Sequence, residues 1–133
     1  MQDRPSYQEL IDAVRHFLEN DAVPALDGTK KFHARVAANV LAIVGRELML
    51  EQSHLAREWH RLDELLGPMP MPSGPEAIKE ALRVRTESLC ARIRCGDADA
   101  DPFRTAVLAH VRQTVVEKLA IDNPKLVQPS AGA

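Results

Sequence analysis

The sequence predicts an all-α protein, an up-and-down bundle of about five helices, and three observations carry that reading. Apolar residues recur every three or four positions through most of the chain, with no useful stretch of the two-residue alternation a strand needs. Prolines and helix-capping residues fall between these periodic stretches. The segment Phe32–Leu50 (FHARVAANVLAIVGRELML) is apolar around most of its circumference, the pattern of a helix covered on several sides. It predicts a central, largely buried helix at 29–50.

The first helix opens on Ser6-Tyr7-Gln8-Glu9, a capping box in which the Ser hydroxyl accepts from the Glu9 amide and the Glu9 carboxylate reaches back. Leu10, Ile11, Val14, Phe17 and Leu18 give it one buried face, and Asn20-Asp21 end it. Val23–Leu26 form a turn of helix before Asp27-Gly28. Thr29 is the expected N-cap of the central helix. A third helix, 52–66, turns Leu55, Trp59, Leu62 and Leu66 inward. No strong breaker separates it from the second, so one continuous kinked helix is the alternative. Gly67 fits a left-handed C-cap.

Pro68–Pro75 (PMPMPSGP) reads as an extended loop, because each proline lacks an amide donor. Pro75 suits the first position of helix four, which runs to Cys95 with Ile78, Leu82, Leu89 and Ile93 inward. Asp101-Pro102 start helix five, with Phe103, Val107, Leu108, Val111, Val115 and Leu119 as its stripe. Asn123-Pro124 stop it. Residues 1–124 are expected to form a single domain and 125–133 a flexible tail.

Composition bounds the function. With 133 residues, 45% hydrophobic and 27% charged, the chain has ordinary globular make-up. Its 17 basic and 19 acidic side chains lack the positive balance of a nucleic-acid binder and give no polybasic membrane anchor. No apolar run approaches the ~18 residues that span a bilayer. The N-terminus has no apolar core of a signal peptide, so a cytoplasmic location is expected. Cys90 and Cys95 face about 140° apart on a helix, poor geometry for a disulfide, and read as reduced thiols.

The best candidate site is the stripe of Arg35, Asn39 and Arg46, which fall within roughly 40° of one another on the central helix. Guanidinium groups flanking an amide hold carboxylates or phosphates through bidentate, charge-assisted bonds. The structural alternative, a polar edge paired with acids from neighbouring helices, is preferred. His33 and Glu47 lie on the opposite, apolar side, as partners for other helices or for a second subunit. Arg92, Asp122 and Asn123 complete the candidate anion cluster, with Asp122 expected to pair with Arg35 or Arg92. Arg83, Arg85, Arg92 and Arg94 make helix four basic, but Glu80 and Glu87 are interleaved and i,i+4 pairing accounts for the pattern. His54/Glu58 and His60/Glu64 have metal-compatible spacing without a third ligand, and read as ion pairs. No catalytic residue, metal site or cofactor is predicted.

Three stretches, FHARVAANVLAIVGREL, LCARIRCG and KLAIDNP, together with RPSYQELIDAVRHFLENDAVPAL, resemble an uncharacterised family of short bacterial proteins, a domain of unknown function. The resemblance carries no activity to transfer. It implies a setting beside aminoglycoside-phosphotransferase-like kinases and acyl-CoA dehydrogenases. The central helix has more apolar surface than a five-helix monomer needs and no catalytic set is recognisable, so the expected function is a non-enzymatic, self-associating interaction module, accessory to a larger metabolic enzyme. The alternative is a bundle that binds or acts on an anionic small molecule, an acyl-CoA or phosphorylated compound, through Arg35, Asn39 and Arg92.

Overall fold

The structure is a computed structural model that describes residues 4–127. It is all-helical, without strands among the described residues, and four long helices carry it. In chain order the α-helices are α1 (Tyr7–Phe17), α2 (Val23–Ala25, a single turn and not one of the four), α3 (Gly28–Leu66), α4 (Pro75–Arg94) and α5 (Phe103–Asp122). The expected second and third helices are one helix, α3, because Leu50-Glu51-Gln52 offers neither proline nor glycine to interrupt it. The backbone divides into two compact units, Met1–Met49 and Leu50–Ala133.

In the N-terminal unit the capping box forms as read: Ser6 Oγ accepts from the Glu9 amide at 3.2 Å, and Glu9 Oε2 from the Ser6 amide at 2.7 Å. Asn20-Asp21 do not end the helical path, which continues as a π turn over Leu18–Ala22. There the Val23 amide reaches Leu18 O, five residues back. Asn20 stays within the helical path by donating its side-chain amide to His16 O at 3.0 Å.

The chain then reverses. Gly45 of α3 sits against Gln8 and Ile11, where an added Cβ would lie 3.3 Å from Gln8 Nε2. Glu19 and Val23 stand beside Ala38 and Ala42. The two helices are therefore antiparallel, and small residues (Ala34, Ala38, Gly45) form the buried side of α3 here. The bulky side is outside. Phe32, Val36, Val40, Val44 and Leu48 are all exposed, Phe32 by 63%. The expectation of a largely buried helix at 29–50 is thus corrected within this chain: the close approach of α1 needs small side chains and takes the small face. On α1 only Ile11 and Leu18 of the expected buried face turn inward, while Leu10, Val14 and Phe17 are exposed together with Tyr7.

In the C-terminal unit, α3 from Leu50, α4 and α5 enclose one core of Trp59, Leu62, Leu65, Leu82, Leu89 and Val107. Gly67, at φ 96°, ends α3 as expected, its amide bonded to Asp63 O at 2.9 Å. α4 turns Ile78, Leu82, Arg85, Leu89 and Arg92 toward this core, one 4-3-4-3 series, and leaves Ile93 exposed. α5 departs further from expectation. Its inner series is Val107, His110, Thr114 and Glu117, whereas Leu108, Val111 and Val115 lie outside. Asp101 caps it through the Thr105 amide (3.2 Å) and hydroxyl (2.5 Å). After Asn123 the chain makes a 3₁₀ turn at Pro124–Leu126, and residues 128–133 of the expected tail lie outside the described residues.

Candidate functional site

The Arg35–Asn39–Arg46 stripe divides between two depressions on one side of the N-terminal hairpin. Arg35 and Asn39 line a hollow of about 310 Å³ with Glu19, Val23, Ala38 and Ala42. Arg46 lines a smaller one of about 110 Å³ with Gln8, Asp12 and Arg15. Arg15 bridges Asp12 at 3.3 Å and Glu19 at 3.9 Å. Both hollows therefore carry an acid beside the arginine, which disfavours an anionic ligand. His33 and Glu47 stand on the opposite, outward apolar side, both exposed.

Arg92 belongs to the C-terminal unit, where its Nε donates to Asp97 at 2.7 Å and its Nη1 to Leu65 O at 2.9 Å. Its guanidinium also stacks 4.2 Å from the Phe103 ring centroid. Asp97, three residues past the end of α4, takes the place of Asp122, so the expected Asp122–Arg92 pair is replaced. Asp122 and Asn123 are exposed at the end of α5. Glu80 and Glu87 do pair with Arg83 as i,i+3 and i,i+4 partners. The expected His60–Glu64 pair gives way to His60 Nδ1 lying 4.0 Å from Asp63. Among the described residues no group of three His, Cys, Asp or Glu side chains could hold a metal ion.

Two ionic clasps escaped the sequence reading. In the first, Glu117 is buried and accepts from Arg57 Nε (2.9 Å) and from both Arg61 terminal nitrogens (3.1 and 2.7 Å). Burial alone would push its carboxyl up; the Arg61 and Arg57 hydrogen bonds outweigh that and hold it at about 2. In the second, Arg85 is buried with its guanidinium 4.6 Å from the Trp59 ring centroid. It donates to Asp63 Oδ1 at 2.6 Å and to Gly67 O at 2.8 Å, satisfying the carbonyl that follows the end of α3. That Arg85 bond, with one from the Met69 amide, holds the Asp63 carboxyl below its usual range against the opposing effect of burial. Arg85 and Arg92 share the inward heptad of α4 with Ile78, Leu82 and Leu89, and that spacing was the available signal.

His110 is buried beside the first clasp, and its Nδ1 has no hydrogen-bond partner. It lines an open cleft of about 360 Å³ with Arg61, Leu65, Gln113 and three others. Burial, with Arg61 nearby, lowers its pKa below 6.5, although Glu117 opposes this. The sign follows by linkage. Both groups have folded pKa values below their unfolded ones, so the unfolded chain takes up protons first and acid destabilises the fold. Chemical denaturation across pH should show stability falling as pH drops below about 6.5, from His110, and again below about 4.5 toward 2, from Glu117. His110→Gln should remove the upper step and Glu117→Gln should shrink the lower, to which Asp63 also contributes; a wild-type stability that is flat from pH 7 to 5 contradicts the buried neutral imidazole.

Fold and clusters define an all-helical protein with ionic clasps inside and apolar rows outside. Residues 24–126 match the family described as Domain of unknown function (DUF6285), and the chain belongs to that family. No curated protein and no solved structure matches it. Among the described residues no helix is long and apolar enough to cross a membrane.

Proposed function

We propose that this protein is a non-enzymatic helical interaction module that docks through the outward apolar side of its N-terminal hairpin. One observation carries the reading. On α3 the small residues are packed inside while Phe32, Val36, Val40, Val44 and Leu48 stand exposed, the reverse of what a self-sufficient hairpin would bury. Exposed Tyr7, Leu10, Val14 and Phe17 on α1 add a 3-4-3 row of the kind that packs against another helix. A second outward row, Leu108, Val111 and Val115 on α5, gives the module another surface. The buried ionic groups have structural partners, which supports a scaffold over a reaction centre.

The cytoplasmic setting belongs to this proposal and rests on the sequence expectation above, and the larger partner enzyme, a kinase-like protein or an acyl-CoA dehydrogenase, rests on the family resemblance. Recovered from its native host, the protein should carry a stoichiometric partner, itself or another chain, and Val36→Asp should release it. A chain recovered alone and monomeric, and indifferent to Val36→Asp, overturns the reading.

A further inference from the structure

The outward face of α3 is symmetric about Val40. With about 100° of turn per residue, Val36 and Val44 lie roughly 40° to either side of Val40, and Phe32 and Leu48 roughly 80°. Along the axis they are equally spaced from Val40, four and eight residues away in each direction. The two polar groups within this face obey the same symmetry. His33 is seven residues before Val40 and Glu47 seven after, each within roughly 20° of its meridian. A face with that pattern is its own complement under a two-fold axis.

We infer that the N-terminal hairpin pairs with a second copy of this chain, with α3 antiparallel to its counterpart and Val40 on the two-fold axis. The inference rests on the docking role proposed above and names the occupant. In this register Val40 meets Val40, Val36 meets Val44, and Phe32 meets Leu48. His33 of each copy comes level with Glu47 of the other, so both polar side chains inside the apolar face gain a partner of complementary chemistry. An isologous contact of this kind closes as a dimer. A parallel arrangement would instead set Glu47 against Glu47.

One helix crossing is small beside the roughly 800 Å² per partner of a stable interface. The remainder comes from α1. Asp12 and Arg15 share a side of the hairpin with Arg46, as Glu19 does with Arg35 and Asn39. Leu10 and Val14 point nearly opposite to Asp12 on α1, and Val40 and Val44 point away from Arg46 and Arg35 on α3. With the polar sets on one side, the apolar sets of both helices share the other. Two such hairpins form a four-helix bundle with a dry seam.

The test is sedimentation velocity on the full chain over a concentration series, with circular dichroism to check folding. Wild type should dimerise. Val40→Arg places two charges face to face on the axis and should give monomer; Val40 is half-exposed in the isolated chain, so the fold should persist. Glu47→Lys sets Lys against His33 twice and should weaken the dimer about tenfold or more. The double variant His33→Glu with Glu47→Lys should restore it, because an antiparallel pair again joins opposite charges. Wild type that stays monomeric overturns the inference, while the docking role survives if Val36→Asp still releases a host partner. A dimer indifferent to Val40→Arg, or one the double variant fails to restore, overturns the register and with it the inference.

Discussion

Replacing Trp59 with alanine is expected to cost the C-terminal unit about 4 kcal/mol, a large share of the 5–15 kcal/mol that holds a typical domain. The indole is 2% exposed and belongs to the core of that unit. Its ring is packed in the core with Leu62 and Leu82, its Nε1–H donates to Met69 O at 3.2 Å, and its face carries the Arg85 guanidinium. Truncation leaves a cavity, frees the Pro68–Pro75 loop from its anchor and strips Arg85 of its platform. Phenylalanine keeps the ring and loses the N–H bond, so Trp59→Phe should cost only about 1–2 kcal/mol. Urea denaturation of the three proteins checks this. Equal losses for phenylalanine and alanine would mean that the hydrogen bond, and not the packing, dominates.

Glu117→Ala is expected to cost about 3 kcal/mol, the low end for breaking a buried ion pair, because it strands Arg61. Arg61 is 18% exposed and Arg57 52%, so the damage lies with Arg61, and Arg57 can turn to solvent. Arg57→Ala should accordingly cost under about 1 kcal/mol. The double variant Arg61→Met with Glu117→Leu removes both buried charges and should recover most of the loss, as apolar replacements of buried pairs commonly do. A double-mutant cycle by thermal and urea unfolding reads the coupling directly. Simple additivity of the two single losses would show that Arg61 and Glu117 do not act as a pair.

The helices were largely legible because their punctuation is local. The Ser6–Glu9 box, Gly67, Pro75 and Asp101 each act within a few residues of themselves, and each stands where its chemistry placed it. Between 50 and 52 the chain has no breaker, and the helix runs through, as the continuous alternative had it. Facing was harder to read. On α1 and α5 the most apolar stripe reads as the inner one, yet α5 buries His110 and Glu117, with Thr114 half-buried, while showing Leu108, Val111 and Val115. Hydrophobic periodicity reports that a face will be covered and says nothing of whether the cover comes from the same chain. The clasps were missed for a related reason. Arg61 and Glu117 are 56 residues apart in sequence, and only their contact across α3 and α5 identifies them as partners.

Oxidative footprinting, carried out in cells of the native host and on the purified protein, tests the central claim most directly. Labelling is normalised to the intrinsic reactivity of each side chain and compared with the urea-unfolded chain. Tyr7, Phe17 and Phe32, more than half exposed in the isolated chain, should label slowly in the cell, while comparably exposed Met69 of the C-terminal unit labels freely. If all four label as fast as their exposure in the isolated chain allows, in the cell and in purified protein alike, the apolar side of the hairpin is bare and the docking account is wrong.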